Sequence, residues 1–410
     1  MSLLSVEQAR ERILSQLNPI TTESLKLVEC ANRVLALDVH ASTDLPLFDN
    51  SSMDGFAIHA ADVMGATAAS PQSLRVVADI PAGLSPTIHL AQGQGARIMT
   101  GAQIPEGADA VVPVEDTDFE DRDAGSSAPD QVRIIKPVKA GDNIRRRGTD
   151  VRADEVILEK GHTLKPQDLG LLAMLGVPKV EVHRKPRIAL LSSGDELVAV
   201  DAALEPGKIR DSNSYTLAAL IESTGAEVLR LGVAKDNHES VKALLDRAVE
   251  QNADLILSSA GVSVGAFDFV KEVIESNGKM DFWRVNMRPG KPLAFGEYRK
   301  IPIIGLPGNP VSAFVGFEVF VRPAIGRLCG LLSGDRQTVR VRSAEQIESD
   351  GRESYLRAQI REENGGLVAY LTGHQGSGNL RSLVQANALL IIPAGVKCVP
   401  AGQEVSVWLL

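Results

Sequence analysis

Cysteine and aromatic residues are scarce in this 410-residue chain, which holds three Cys, four Tyr and two Trp. Cys30, Cys329 and Cys398 lie far apart and are odd in number, which excludes a disulfide framework and a CxxC metal site. Long apolar runs are also missing, and none approaches the ~20 residues of a membrane helix. Basic charge is in the minority: 43 Lys and Arg stand against 52 Asp and Glu, a formal charge of −9. That balance points away from nucleic acid as a partner, since such binders usually carry a net basic surface. The opening MSLLSVEQARERI has neither the basic start nor the long apolar stretch of a signal peptide. The expectation is a cytoplasmic protein with no membrane partner. Glycine and proline, by contrast, are plentiful at 36 and 21, and they cluster as organised loops do.

The length argues for two to four domains. Ser5 and Gln8 form a capping-box pattern ahead of Ile13, Leu14 and Leu17 at core spacing, so the chain opens on a helix. Short alternating runs follow, including LRVVADI, ARIMTG and DAVVPVED, divided by Gly and Pro, and they read as a β-rich domain over 45–145. Within it, DRDAGSSAPD reads as an exposed hairpin tip. Helical character returns with Pro166 in a first turn and LGLLAMLG behind it. The β-rich stretch is therefore expected to be inserted into an N-terminal helical and extended domain, 1–44 with 146–178.

From about Pro186 the strand candidates RIALLSS, AEVLRLGVA, ADLILSSAG and IPIIGLPG alternate with the helix candidates SNSYTLAALIEST, HESVKALLDRAVEQ and DFVKEVIES. Such alternation argues for an α/β domain with a mostly parallel sheet, over 179–329. After Gly330, TVRVRS, YLRAQI, LVAYLT, ALLIIP and EVSVWLL read as five short strands, hence a C-terminal β-barrel over 330–410.

Ligands of open parallel sheets bind beyond the carboxyl ends of the strands. The loops there are SSGDEL with Asp195 and Glu196, KDNH with Asp236, AGVSVGAFDF with Gly261, Ser263, Gly265 and Asp268, and GLPGNPVSAF with Gly308, Asn309 and Ser312. Two of them run from strand through glycine-rich turn to helix, which turns backbone N–H groups toward an anion. RPGKPLAFG adds Arg288 and Lys291 on what reads as a rigid, proline-flanked loop. Glu196, Asp236 and Asp268 offer hard oxygen ligands for magnesium. Each feature also has a plainer reading. A glycine loop taken alone is a tight turn, Asp268 ahead of FVKEVIES suits a helix N-cap, and Arg145–Arg147 suits a solvated face. GVSVG also matches the GxSxG nucleophile elbow. A hydrolase triad would then need His374, the one histidine downstream, and it lies among the C-terminal strands.

Taken in order, PLFDNSSMDGFAI, RIMTGAQIPEGADAVVPVED, GDNIRRRGTDV, SSGDEL, GKIRDSNSY, AGVSVGAFDFVKEV, RPGKPLAFG, GLPGNPVSAF and GSGNLRSL resemble the MoeA family, the molybdopterin molybdenumtransferases, which includes the E domain of gephyrin. The likeness runs along essentially the whole chain. It implies a four-domain homodimer whose central α/β domain binds the pterin dithiolene, with the active site completed by the partner's β-rich insertion. The implied reaction takes adenylylated molybdopterin and molybdate to molybdenum cofactor and AMP, with Mg2+. On motif position, Asp54, Thr100 and Asp142 match functional residues of the β-rich side. Glu196, Asp236, Asp268 and Lys291 match on the α/β side. Arg288 keeps the charge found in relatives, and Ser263, Ser312, Arg352, Arg357 and Ser377 are candidate oxyanion ligands.

The chain departs from the family pattern at Ala260, where paired glycines are common, and at Ala266, where an acid often follows SVG. Two other readings belong beside the insertase: a non-catalytic paralogue acting as a binding scaffold, and a molybdopterin adenylyltransferase. The adenylyltransferase shares the α/β domain but is shorter, and contact with such a protein is a further expected partnership.

Overall fold

The computed structural model describes residues 3–120, 127–260, 266–363 and 365–410, with only the backbone described at 260, 266–268, 271 and 283. Residues 121–126 of the expected hairpin tip, and Gly261, Ser263 and Gly265, lie outside the described residues. The chain divides into two compact units, one made of 38–159 with 170–178 and the other of 1–37, 160–169 and 179–410.

The first unit is built on a five-stranded sheet. Its strands are β1 (Gly55–Ile58), β2 (Gln72–Ile80), β3 (Gln94–Ile98), β4 (Ala110–Pro113) and β5 (Gln131–Ile134), in the order β4-β1-β3-β2-β5. Side chains alternate across a strand, so Phe56 and Ile58 enter one core with Leu74, Val112 and Val132. Ala57 faces the other way, into a core with Ile80, Ala96 and Ile98. Gly55 has to be glycine, because a Cβ there would lie 2.0 Å from the Val112 carbonyl oxygen. Arg145, Arg146 and Arg147 are exposed, as their run implies, and each pairs with an aspartate: Asp150 at 2.5 Å, Asp49 at 2.6 Å and Asp44 at 2.6 Å.

The second unit opens on the helix Val6–Ser15, whose Ser5–Gln8 capping box forms as the sequence implies. Its main sheet has six strands: β6 (Arg187–Ser193), β7 (Glu227–Ala234), β8 (Leu255–Ala260), β9 (Gly278–Arg284), β10 (Pro292–Tyr298) and β11 (Ile301–Pro307). The order is β7-β6-β8-β11-β10-β9. β6, β7, β8 and β11 run parallel, and β10 and β9 extend the sheet antiparallel. RPGKPLAFG is therefore not one loop. Met287–Arg288 pairs with a barrel strand, and Pro292 opens β10, where its missing N–H matters least.

Both faces of this sheet are covered. Ile188, Leu190, Leu255 and Leu257 pack against Leu217 and Ile221 of the helix Asn213–Ser223 and against the helical run from Val311 to Leu328. The alternate residues Ala189, Leu191 and Ile256 meet Val241 and Leu245 of the helix His238–Glu250, with Val270 and Ile274 of the helix Ala266–Asn277. That last helix starts two residues before Asp268. Asp268 is thus its third residue rather than its N-cap, a first-turn place where an acid still suits the helix dipole.

Five further strands close a barrel: β12 (Thr338–Ser343), β13 (Glu353–Glu363), β14 (Gly366–Leu371), β15 (Ala388–Ile392) and β16 (Glu404–Leu409). Its circuit is β13-β14-β12-β16-β15 and back to β13, around Val341, Leu356, Ala369, Leu390 and Val407. Among the described residues, no helix is long and apolar enough to cross a membrane.

Candidate active site

Small residues end the parallel strands of the second unit: Ser192 and Ser193 on β6, Ser258 and Ser259 on β8. They leave room for a cavity of about 450 Å3 lined by Ser193, Glu196, Arg210, Asp211, Asn213, Ser259, Gly308 and Asn309. Asn213 fixes its floor, donating from Nδ2 to Ser259 Oγ at 2.8 Å and to the Gly308 carbonyl at 2.7 Å. The hydroxyls of Ser192, Ser193 and Ser258 are buried without hydrogen-bond partners among the described residues. Glu196 folds back over Gly194, where a Cβ would lie 2.7 Å from Glu196 Oε2.

Beside this cavity Asp195 and Asp236 bind each other's backbone. The Asp195 N–H donates to Asp236 Oδ2 at 3.3 Å, and the Asp236 N–H to Asp195 Oδ1 at 3.2 Å. The other Asp236 oxygen, Oδ1, is buried and has no partner among the described residues. Burial first, then the charges of Asp195 and Glu196, hold the Asp236 carboxyl above the ordinary aspartate range. No three His, Cys, Asp or Glu side chains among the described residues are grouped closely enough to hold a metal ion by themselves.

In the same unit, residues of the barrel and of the α/β part build a second polar constellation. Arg357 on β13 is 0% exposed. Its Nε donates to Ser382 Oγ at 3.0 Å and its Nη2 to the Gly376 carbonyl at 3.1 Å. No carboxylate pairs with it among the described residues, and its buried Nη1 has no partner. Burial, with a smaller contribution from Arg288, lowers its pKa to about 10. Gln375 holds the same residue by its peptide, accepting from the Arg357 N–H at 2.9 Å and donating to its carbonyl at 3.1 Å.

The loop that carries Gln375 continues to Ser377. Ser377 Oγ accepts from Asn309 Nδ2 at 3.1 Å, and the Ser377 carbonyl accepts from the Val311 N–H at 3.0 Å. Ser312 follows one residue later and is buried. Arg288 and Arg352 share Asp350, at 3.9 Å and 2.5 Å, and Arg352 also donates to the Met287 carbonyl at 3.2 Å. Lys291 is exposed and its ammonium makes no hydrogen bond or ion pair among the described residues.

In the first unit, Asp54 and Thr100 meet. Asp54 Oδ1 accepts from the Thr100 N–H at 2.7 Å and from its hydroxyl at 2.8 Å, which holds the Asp54 carboxyl below the ordinary range. Asp142 has a different partner. Its Oδ2 accepts from the Lys139 N–H at 2.8 Å and closes its own turn, and it does not line the cavity that Asp54 and Thr100 share.

Thus Glu196, Gly308 and Asn309 line one cavity with Asp236 close by. Arg288, Arg352, Arg357 and Ser377 belong to a second constellation. Asp268 is placed by its backbone alone. The sequence reading missed Asn213, Ser259, Asp350, Gln375 and Ser382. Asn213 stood within GKIRDSNSY, and only the crossing of helix and strand ends shows its role.

Three family models match the chain: "MoeA N-terminal region (domain I and II)" over residues 4–176, "Probable molybdopterin binding domain" over 189–327, and "MoeA C-terminal region (domain IV)" over 340–410. A molybdopterin molybdenumtransferase of Nostoc sp. is 40% identical over 393 residues, 94% of this chain and 88% of the relative. Molybdopterin molybdenumtransferase 2 of Mycobacterium tuberculosis is 39% identical over 413 residues, 98% of each chain. The crystal structure of the molybdopterin biosynthesis MoeA protein from Pyrococcus horikoshii OT3 superposes with a TM-score of 0.84 at 32% identity, covering 100% of both chains. The chain therefore belongs to the MoeA family, transferases of molybdenum cofactor biosynthesis.

Proposed function

We propose that this chain is the molybdenum insertase itself, converting adenylylated molybdopterin and molybdate into molybdenum cofactor and AMP. The observation that carries the reading is Arg357. A buried guanidinium with no carboxylate among the described residues, and with one nitrogen unpartnered there, is costly unless an anion completes it. Molybdate is a tetrahedral dianion with four acceptor oxygens and fits that need. Ser377, Ser312, Arg288, Arg352 and Lys291 are the further candidates for its remaining oxygens, as Ser263 is by motif.

The cavity at the strand ends would take the dithiolene-bearing end and the phosphates of the substrate, with Gly308 and Asn309, and by motif Gly261 and Gly265, as the candidates to supply N–H groups. Asp236 and Glu196 fit a hard cation. One buried oxygen lacks a partner, and crowded negative charge already holds the carboxyl toward its protonated form. With Asp268 by motif, they would hold Mg2+ by one or two carboxylates and leave its other positions to phosphate and water. Such an ion polarises a phosphoanhydride. The chain's own residues orient the two substrates. One oxo group would leave molybdate as water with the two protons that the pterin dithiol releases on becoming a dithiolene ligand, and one water would add across the phosphoanhydride to give AMP and the pterin phosphate.

The proposal includes a cytoplasmic homodimer in which the partner's β-rich unit brings its Asp54–Thr100 pair, with Asp142, to the site. It also includes receipt of the adenylylated pterin from a molybdopterin adenylyltransferase. What supports a shared site is that Asp54 is exposed and keeps Oδ2 without a partner among the described residues. The test is a reconstitution with purified protein and adenylylated molybdopterin. AMP release that requires both molybdate and Mg2+ is the expected result. AMP release independent of molybdate, or none at all, would overturn the proposal.

A further inference from the structure

The β-rich unit holds a cavity of about 350 Å3, lined by Met53, Asp54, Phe56, Arg97, Met99, Thr100, Val114, Glu115 and Phe119 among others. Motif matching reaches Asp54 and Thr100 at its rim but says nothing of its walls. Their accessible aromatic surface is Phe119, which Phe56 backs from within the core. Phe56 is fully buried and meets Phe119 edge to face, with ring centroids 5.9 Å apart and planes at 88°. The Arg97 guanidinium lies over the Phe119 ring, 5.6 Å from its centroid. Met53, Met99 and Val114 supply flexible or apolar surface around them.

The polar edge narrows the ligand. Asp54 gives Oδ1 to Thr100 and keeps Oδ2 as an acceptor, and its lowered pKa keeps it ionised. Glu115 stands at the same cavity. The ionised Asp54 disfavours an oxyanion at that edge, and a guanidinium already over the aromatic ring disfavours a second cation. An aliphatic chain would desolvate Asp54 and offer it no donor. A flat, neutral ring with N–H groups along one edge meets every condition. Its face lies on aromatic and sulfur-bearing walls while its edge donates to Asp54. The volume sits at the small end of ligand pockets, enough for one bicyclic ring and too small for a whole adenylylated pterin.

We propose that this cavity binds a planar nitrogen heterocycle, adenine or pterin, as a ring subsite of the chain. The choice of these two rings rests on the insertase reading, whereas the demand for a neutral N–H-bearing ring rests on the cavity alone. The test uses the full-length protein with two probes, AMP and neopterin, by saturation-transfer NMR and titration calorimetry. A third titration with tungstate reports separately on the Arg357 constellation.

At least one ring is expected to bind the wild type. Phe119→Ala should weaken it on the order of tenfold, as loss of an aromatic stacking wall does. Val114→Trp, which fills the cavity, should abolish it. Both variants should keep the wild-type tungstate affinity, which also shows that they are folded. Binding of AMP alone assigns adenine, and binding of neopterin alone assigns pterin. Failure of both rings to bind, or equal binding by wild type and both variants, overturns the subsite. Failure of the wild type to bind tungstate would count against the insertase reading instead.

Discussion

Arg357 and Ser382 share a buried hydrogen bond, Nε to Oγ at 3.0 Å, with neither residue more than 1% exposed. The bond orients a cation that has no counter-ion among the described residues. Substitution should then separate stability from function. Arg357→Met removes an isolated buried charge and keeps most of the volume, so Tm is expected to stay level or rise. Tungstate binding by calorimetry should disappear in the same variant. Wild-type affinity in Arg357→Met would sink the assignment.

Asp236 should respond to pH in a defined direction. Its folded pKa lies above the unfolded one, because burial, Asp195 and Glu196 all disfavour the charge. The folded state therefore favours the protonated form, and that contribution is lost as pH rises through the folded pKa. Asp236→Asn keeps an oxygen for the Asp195 N–H and removes the charge. Its Tm advantage over wild type should be near zero in acid and grow toward neutral pH. Mg2+ should raise the Tm of the wild type and not of the variant. A difference that does not vary with pH would contradict the cause assigned here.

The parallel part of the sheet was legible because its strands are apolar runs covered on both faces, as Ile188 to Leu191 illustrate. β9 and β10 were not. In GKMDFWR and PLAFGEY the apolar stretches are too short to stand apart from the loop of Arg288 and Lys291, and their place is set by pairing, β10 with β11 and β9 with β10. Arg357 was legible as a motif position, but its burial was not, since an arginine in YLRAQI reads as the wet face of a strand. Asp142 shows the reverse limit. Its motif is clear, yet its carboxylate closes a turn, which spacing cannot reveal.

The shared site of the proposed homodimer makes a prediction about mixtures. Asp54→Ala and Arg357→Met should each be inactive as homodimers. In a two-fold heterodimer of the two, one site carries both lesions and the other carries neither. Random co-assembly should therefore restore about a quarter of wild-type activity per subunit. The check is AMP release by co-expressed, doubly tagged protein against the two parents mixed after folding. Co-expressed protein no more active than the parents would place Asp54 outside the partner's site.

Glu318 anchors the second unit from within. Its side chain is 0% exposed, yet it accepts from Arg336 Nε and Nη2 at 2.9 Å each, and from Arg322 at 2.6 Å and 3.2 Å. Burial alone would raise its pKa, but those hydrogen bonds win and hold it below the usual glutamate range. The stability it contributes is therefore present at neutral pH and lost as pH falls through the folded pKa. Glu318→Ala takes the shared carboxylate from both arginines, leaving Arg322 only its 3.4 Å bond to Ser223 Oγ, and should cost about 3–5 kcal/mol, read as a lower urea midpoint. Replacing Glu318, Arg322 and Arg336 together by Met should recover much of that loss, because an apolar cluster needs no counter-charge. If the triple variant is no more stable than Glu318→Ala, the two arginines are held by something other than their shared carboxylate.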